Sequence, residues 1–365
     1  MADPHVQTFS GQDDWLARLL QHLVRGEVLS VEDKARLEAA LLHENWQCQV
    51  FGITADTVHA VVTERSQLLQ DIYPALTELC RDRLGWQTVN LALFWNLWLP
   101  LALAIVAYRQ QQRQPLIQGI LGVQGTGKTT LAIIVTLILD YLGYRVCSLS
   151  LDDLYKTYAE RCQLQIREPR LRWRGPPGTH DIDMGLMVLN QLRTASSHPV
   201  QIPRFDKSLH QGAGDRTMPE VVSNIDVVLF EGWFVGVRPI DPAAFDQAPP
   251  PIVTEGDRQF ARDCNTRLQD YLPLWDLLDR LIVLYPSDYH LSQQWRQQAE
   301  QRMIDAGRSG MTDREVSQFV EYFWRSLHPE LFIKPLLHDA QHVDLVVDIN
   351  PDRSRGAVYQ PRIGG

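Results

Sequence analysis

The sequence predicts an α/β fold in which helices cover both faces of a parallel sheet, with an all-helical region before it. Five short apolar runs, separated by segments of helix length, are typical of strands buried in a parallel sheet. Between Asp13 and about Arg113, apolar residues recur every three to four positions, which favours helices. The 365 residues, of which 45% are hydrophobic, are enough for a large core and about two domains.

A polar run at residues 108–115 separates the two regions. We expect residues 1–110 to form an all-helical N-terminal region and residues 111–365 to form the α/β domain. In the first region, Ser30 followed by Glu32 and Asp33 predicts the start of a helix.

The apolar stretch at residues 89–107 has no formal charge and is almost long enough to cross a bilayer. It contains Asn90, Asn96 and Pro100, and a long amphipathic helical pattern leads into it. We therefore predict a buried helix, with a transmembrane segment as the alternative.

In the second region the pattern alternates between strand and helix. A helix is predicted at residues 128–142, where Gly143 would end it. The predicted strands lie at residues 116–123, 146–151, 227–230, 281–285 and 343–349.

The charge and the cysteines limit the class of protein. A net charge of -9 disfavours nucleic acid and anionic membranes as partners, so an anionic ligand needs a local cationic pocket. The five cysteines are widely spaced and have no metal-ligand spacing, which indicates reduced thiols. The N-terminus has neither a signal-peptide nor a transit-peptide pattern, so we expect a cytoplasmic protein.

The clearest chemical signal is a phosphate-binding motif. Residues 122–129 read GVQGTGKT and match G-x-x-x-x-G-K-[ST] directly after a predicted strand and at the start of a predicted helix. Backbone N–H groups of such a loop face phosphate oxygens, while Lys128 would bridge the outer phosphates and the Thr129 hydroxyl would hold Mg²⁺. The motif predicts a P-loop NTPase-type sheet and a site for ATP. The predicted nucleotide-binding residues are Gly122, Gln124, Gly125, Thr126, Gly127, Lys128, Thr129 and Thr130.

Two carboxylates follow predicted strands, where ligands bind in open parallel sheets. Asp152, in SLDDLY after the second strand, is placed to accept the proton of an attacking hydroxyl. Glu231, in FEGW after the third strand, is placed to hold Mg²⁺. The alternative for each is a capping or turn residue.

Cations concentrate in three further segments, at residues 172–181, 203–216 and 295–310. Arginine pairs with carboxylate or phosphate through two parallel hydrogen bonds, so the first two segments predict an anion pocket. The third, which contains Arg296, predicts a helix and turn that close over nucleotide. Solvated loops and a plain surface helix are the alternatives.

Taken together, these segments resemble the D-glycerate 3-kinase family, within the phosphoribulokinase and uridine kinase branch of P-loop kinases. The resemblance covers roughly residues 90–350. The motifs that carry it are GxxGxGKTT at 122–130, S-x-DD-x-Y at 150–155, RG-x-x-G-[ST]-HD at 174–181, P-R-[FY]-[DN]-KS at 203–208, G-x-G-DR at 212–216, FEGW at 230–233 and WR-x-QAE through GM-[ST]-D at 295–313.

The resemblance implies transfer of the ATP γ-phosphoryl group to the 3-hydroxyl of D-glycerate, the last step of photorespiratory carbon recovery. It implies Asp152 as the base and Glu231 as the Mg²⁺ acid. Our own interpretation adds Lys128 as a residue that fixes the donor and Arg296 as the cation that offsets charge on the transferring group. Leu154 departs from the family pattern, which usually has an aromatic residue there. The residues expected around substrate are Asp153, Tyr155, Arg174, His180, Asp181, Arg204, Lys207 and Arg216.

Two rival functions remain open from the sequence, as does a separate role of the helical N-terminal region as a binding module with its own partner. One is a kinase of the same branch for a nucleoside, pantothenate or a sugar phosphate. The other is a P-loop switch that hydrolyses nucleotide to change partners, against which the sequence contains no N-K-x-D and no L-S-G-G-Q motif.

Overall fold

The computed structural model describes residues 11–194, 198–305, 307 and 310–362. The chain groups into two compact units, one of Met1–Gln111 with Thr130–Tyr144 and one of Gln112–Thr129 with Arg145–Gly365. The sequence-based boundary at residue 110 stays a prediction of domain organisation.

The first unit is helical, as the apolar spacing predicts. The predicted start at Ser30 is confirmed, because its side chain accepts a hydrogen bond from the Asp33 amide while the Asp33 carboxylate accepts one from the Ser30 amide. The helices are α1 Gly11–Val24, α2 Val31–His43, α3 Asn45–Phe51, α4 Val58–Leu84, α5 Leu91–Leu93 and α6 Leu99–Gln111, and a π-helical turn at Phe94–Trp98 joins the last two.

The helix Leu91–Gln111 is long and apolar enough to cross a membrane, with a mean hydropathy of 1.8, but more than half of its most apolar window is buried. Buried Arg65 donates to the carbonyl oxygen of Trp95 at 3.4 Å and to the Gln47 side chain at 2.9 Å. Gln47 in turn donates to Asn96 at 3.1 Å. A lipid-facing surface would place these polar side chains in hydrocarbon, whereas here they are hydrogen-bonded inside the unit, which favours the predicted buried helix.

The second unit contains a six-stranded sheet with the order β10-β9-β8-β1-β7-β2. All five strands predicted from apolar runs are present and pair in parallel, which confirms the α/β fold. Strands β1 and β7 are buried at every residue, so both of their faces are covered. The strands are β1 Leu116–Gly122, β2 Val146–Ser150, β3 Val200–Ile202, β4 Phe205–Asp206, β5 Asp215–Arg216, β6 Glu220–Val222, β7 Val227–Gly232, β8 Arg280–Pro286, β9 Leu345–Ile349 and β10 Arg355–Tyr359.

Helix α7, Lys128–Tyr141, begins in the second unit at the end of the phosphate loop, close to its predicted bounds. One core cluster of the second unit combines alternate residues of the sheet, such as Ile117 and Phe230, with α9, α10 and α13. The later helices are α8 Tyr158–Arg167, α9 Ile182–Arg193, α10 Glu255–Arg267, α11 Leu272–Trp275, α12 Leu291–Asp305, α13 Asp313–Ser326 and α14 Pro329–Phe332.

Strand β10 and two small antiparallel pairs, β3 with β6 and β4 with β5, are not predicted by the sequence. The strands of the two small pairs are only two or three residues long, which is too short to show the alternation of apolar and polar residues that predicts a strand. The pair of β4 and β5 lies within residues 203–216, the second of the two segments that we expected to form an anion pocket.

Candidate active site

The sheet register brings the phosphate loop and both predicted carboxylates to one edge. Glu231 of β7 pairs with Ile120 of β1 on one side and with Ser150 of β2 on the other. The phosphate loop therefore follows β1, and Asp152 follows β2, at the same level of the sheet.

The phosphate loop has the backbone that its glycines allow. Gly125 and Gly127 adopt φ angles of 86° and 85°, a region that other residues rarely enter. Thr126 donates to the carbonyl oxygen of Val123 at 2.8 Å, which tightens the curl. A Cβ atom at Gly122 would lie 2.5 Å from the Thr126 hydroxyl, so the loop needs glycine there as well. Gln124 carries a buried side-chain oxygen without a hydrogen-bond partner.

Helix α7 starts with Lys128, Thr129 and Thr130, so the first two side chains lie beside the phosphate loop. The Thr129 hydroxyl donates to Glu231 Oε1 at 3.0 Å, and Lys128 Nζ lies 3.9 Å from Glu231 Oε2. Glu231 Oε2 is buried and has no hydrogen-bond partner. A hydroxyl and a carboxylate with an unused oxygen fit a Mg²⁺ ion, which typically takes only one or two protein ligands beside phosphates and water. In the described residues no group of three or more His, Cys, Asp and Glu side chains gathers at one point.

Asp152 lies in the 3₁₀ turn Leu151–Leu154 and its side chain is 29% exposed. Burial alone would raise the pKa of this carboxyl group, but Lys207, the Tyr155 hydroxyl and Lys128 outweigh it and hold the pKa below its usual range. Lys207 Nζ lies 2.6 Å from Asp152 Oδ2. The result is an ionised carboxylate close to the phosphate-loop lysine.

The carboxylate of Asp153 is occupied by contacts within the protein. It accepts hydrogen bonds from the amides of Ser150 and Phe205 and pairs with Arg204 at 2.9 Å. Arg204 also pairs with Glu220 at 2.7 Å. Burial raises the pKa of Asp153 in spite of these partners. Both residues fasten the β4 segment to the end of β2, and a direct role toward substrate stays a prediction.

Asp181 and Arg216 form a second internal pair, 2.8 Å apart. Asp181 also caps α9 through the amide of Met184, and Arg216 donates to the backbone carbonyl of Tyr155 at 2.9 Å. This pair therefore positions Tyr155, whose hydroxyl is hydrogen-bonded to Asp152.

Arg174 differs from the other arginines of these segments. Its guanidinium donates to the carbonyl oxygen of Gly212 at 2.7 Å and lies over the rings of Tyr155 and Phe205, 5.9 and 5.6 Å from their centroids. Among the described residues, no carboxylate pairs with it. Its positive charge is therefore still free to meet an anion.

His180 is buried and stacks on Tyr155, with 4.6 Å between the ring centroids. Its Nδ1 lies 2.7 Å from the Tyr271 hydroxyl, and its Nε2 has no hydrogen-bond partner. Burial lowers the pKa of His180 to about 3, so the imidazole is neutral.

Arg296 of α12 is paired with Glu300 on its own helix at 2.5 Å. Its role toward the transferring group stays a prediction. Part of the turn that would complete the lid, namely Ala306, Arg308 and Ser309, lies outside the described residues. The helix nevertheless abuts the phosphate loop, because a Cβ atom at Gly125 would lie 2.7 Å from the Cβ of Trp295.

Sequence reasoning missed two basic residues beside this site. The buried Arg161 of α8 donates to the carbonyl oxygens of Lys156, Ala213 and Gly214 and so ties the segment before β5 to the segment after the 3₁₀ turn. Lys156 itself is half-buried and its charge acts on Asp181 and His180. Neither lies in a pattern that could have revealed it.

Leu154, which departs from the expected motif, is fully buried in the core and packs against Gly185. The change affects packing beneath the turn and leaves Asp152 in place.

The chain is similar to known kinases in sequence and in fold. The chain is 32% identical over 254 residues to a chloroplastic D-glycerate 3-kinase of Arabidopsis thaliana, an alignment that covers 66% of this chain and 54% of that protein. It is 33% identical over 221 residues to an uncharacterized kinase, mug58, of Schizosaccharomyces pombe, covering 58% of this chain and 79% of that one. The chain belongs to the D-glycerate 3-kinase family.

A solved D-glycerate 3-kinase of Cryptococcus neoformans superposes with a TM-score of 0.63 at 28% identity, over 71% of this chain and 96% of that one. No protein-family model matches the chain. The chain spans about half the length of the Arabidopsis member of the family and most of the length of the fungal members.

Proposed function

We propose that the chain transfers the γ-phosphoryl group of ATP to the 3-hydroxyl of D-glycerate. The observation that carries the proposal is the ionised Asp152 carboxylate, which lies at the same sheet edge as the phosphate loop and within the electrostatic reach of Lys128. A carboxylate there can accept the proton of an attacking alcohol. The names of the Arabidopsis and Cryptococcus relatives support glycerate as that alcohol.

The donor half of the reaction uses the phosphate loop. Its backbone N–H groups and the N-terminus of α7 bind the phosphates, Lys128 bridges the outer ones, and Thr129 and Glu231 would hold Mg²⁺. Bound Mg²⁺ supplies positive charge that neutralises the phosphates. Because the chemistry needs little more than alignment and charge, the chain contributes mainly by positioning.

The acceptor half uses Asp152, Lys207 and Arg174. Lys207 orients the Asp152 carboxylate and keeps it ionised. Arg174 binds the glycerate carboxylate, since Arg204 and Arg216 are already neutralised by Asp153 and Asp181. Arg296 would leave Glu300 and offset charge on the transferring group when α12 closes.

The remaining parts of the proposal concern the cell. Phosphorylation of glycerate returns it to central metabolism, and we propose a cytoplasmic enzyme of photorespiratory glycerate salvage that binds neither nucleic acid nor membrane. The acidic net charge of -9 and the partial burial of the helix Leu91–Gln111 support the absence of nucleic-acid and membrane partners.

The test is ADP release from ATP and Mg²⁺ in the presence of D-glycerate, uridine, pantothenate or ribulose 5-phosphate, with the Lys128→Met variant as the inactive control. We expect turnover with D-glycerate, identified as 3-phosphoglycerate by mass and by NMR of the product. If the enzyme turns over only another of these alcohols, that alcohol replaces D-glycerate as the proposed substrate. ATP hydrolysis at the same rate without any acceptor would favour a switch over a kinase.

A further inference from the structure

His180 carries a buried polar atom that the fold leaves unused. The residue is 1% exposed, and its Nε2 has no hydrogen-bond partner. Buried polar atoms are almost always paired, so one without a partner calls for a ligand or a functional explanation.

The hydrogen bonds of Tyr271 decide which nitrogen of His180 carries the proton. The Tyr271 hydroxyl oxygen accepts a hydrogen bond from the Gly178 amide at 2.9 Å and lies 2.7 Å from His180 Nδ1. In the described residues Nδ1 is the acceptor within reach of the hydroxyl proton. The hydroxyl therefore donates to Nδ1, and the proton of the imidazole resides on Nε2. His180 thus presents an N–H donor on the side of the ring away from Tyr271.

The imidazole that carries this donor lies next to the acceptor half of the site. The ring of His180 stacks on Tyr155, whose hydroxyl is hydrogen-bonded to Asp152, and the charge of Asp152 acts on His180. Burial lowers the pKa of His180 to about 3, so the imidazole is neutral and Nε2–H is an uncharged donor. A neutral donor suits a hydroxyl, whereas a carboxylate is better matched by the free guanidinium of Arg174.

Glycerate has three polar groups, and the proposed function assigns two of them. The 3-hydroxyl meets Asp152 and the carboxylate meets Arg174, which leaves the 2-hydroxyl on the stereocentre. We propose that the Nε2–H of His180 donates a hydrogen bond to this 2-hydroxyl and thereby makes the enzyme select D-glycerate over L-glycerate. This inference rests on the proposed function.

The test compares D-glycerate, L-glycerate and 3-hydroxypropionate, which lacks only the 2-hydroxyl, in the wild type and in His180→Phe. We expect wild-type kcat/KM to favour D-glycerate over 3-hydroxypropionate and over L-glycerate by at least ~10-fold each, because a site built for a hydroxyl rejects an analogue that lacks it or presents it in another direction. In His180→Phe the ratio of D-glycerate to 3-hydroxypropionate should fall to about 1, through loss of the D-glycerate rate, while the rate with 3-hydroxypropionate stays.

Two further variants separate recognition from folding. His180→Gln keeps an N–H donor near the Nε2 position and should retain part of the preference for D-glycerate. His180→Phe combined with Tyr271→Phe removes both partners of the hydrogen bond between these side chains, and the Gly178 amide then loses its acceptor as well. This double variant should show the same loss of preference as His180→Phe, because a ratio of two kcat/KM values does not depend on the fraction of the protein that is folded.

If His180→Phe keeps the wild-type ratio of kcat/KM for D-glycerate to that for 3-hydroxypropionate, whether or not both values fall, the role of His180 is overturned. That result leaves the proposed function standing as long as the wild type phosphorylates D-glycerate. Wild-type enzyme that phosphorylates none of the three acids would instead remove the proposed function itself.

Discussion

At the scale of single residues, the charges around Asp152 govern the chemistry. Burial pushes the pKa of this carboxyl group up, and Lys207, Tyr155 and Lys128 push it further down. A base with a pKa below its usual range is ionised throughout the neutral region, and it gains a proton only as the pH falls through that lowered value. Activity should therefore be independent of this group near neutrality and be lost on the acid side.

Asp152→Asn removes the base and leaves the phosphate loop intact. We expect kcat to fall by at least ~10²-fold, as it does when a general base is lost, with little change in ATP binding. Steady-state rates and nucleotide titration by calorimetry measure the two effects. Asp56→Asn, at an exposed position of the first unit, is the matched control, and equal activity of the two variants would contradict the role of Asp152.

Lys207→Met should move the acid limb of the kcat/KM profile to higher pH. Without the lysine charge at 2.6 Å, burial has more influence on Asp152, so its pKa rises and protonation begins at a higher pH. A pH–rate profile from pH 4 to 9 shows the shift. Lys334→Met removes an exposed lysine paired with Glu330 and should leave the profile in place. An unmoved acid limb in Lys207→Met would show that Lys207 does not set this pKa.

At the scale of elements, the short hairpin of β4 and β5 carries Lys207 to Asp152. Asp206 of β4 pairs with Asp215 of β5, and Arg161 fixes the turn through the carbonyls of Ala213 and Gly214. Lys207 follows β4 directly, so any distortion of this hairpin moves the lysine away from the base.

Gly214→Ala should distort the hairpin, whereas Gly212→Ala should disturb it less. Both glycines have positive φ angles, 72° and 90°, so both substitutions carry backbone strain. A Cβ atom at Gly214 would also meet the Phe205 ring and lie 2.9 Å from the Asp206 carbonyl oxygen, while one at Gly212 would contact nothing within 4 Å. Thermal unfolding should show the larger loss for Gly214→Ala, by roughly 1–3 kcal/mol. The KM for the acceptor should rise with it, and equal effects of the two variants would remove the steric argument.

At the scale of the whole molecule, the five cysteines report on burial in both units. All five are free thiols; Cys80, Cys147 and Cys264 are buried, and Cys48 and Cys162 are half-buried. Burial raises the pKa values of the three buried thiols to about 11, 12 and 12, respectively. Since the thiolate is the reactive form, these three should be inert in the folded protein.

We expect a disulfide reagent to label at most two thiols of the native protein quickly, and all five after denaturation. Peptide mass spectrometry should place the fast label on Cys48 and Cys162. Rapid labelling of Cys147 or Cys264 in the folded protein would contradict the burial of the sheet and of α10.

The apolar helix Leu91–Gln111 leads to a second prediction at this scale. Because Arg65 and Gln47 bind it from within the first unit, the protein should remain unbound when mixed with phospholipid vesicles of mixed neutral and anionic composition. Flotation on a density gradient measures this. Co-flotation of the folded protein with the vesicles would favour the membrane alternative.

The strands, the phosphate loop and the positions of Asp152 and Glu231 could be predicted from the sequence, because each depends on a short contiguous pattern. Apolar runs indicate burial directly. The glycines of residues 122–129 allow the phosphate-binding backbone conformation, which needs only a strand before the loop and a helix after it. The π-helical turn, the two small hairpins and β10 lack such a pattern, since they arise from contacts with distant parts of the chain.

The basic residues show the limit most clearly. From the sequence, Arg174, Arg204 and Arg216 are equivalent members of cationic loops. In the fold, Arg204 is neutralised by Asp153, which lies 51 residues away, and Arg216 by Asp181, which lies 35 away. Arg174 has no carboxylate partner among the described residues, so no group of the protein offsets its positive charge. Likewise, a hydroxyl 91 residues distant sets the proton position in His180. Local patterns specify which groups a chain has, but folding brings distant groups together, and those pairings decide which charges and protons remain available for a substrate.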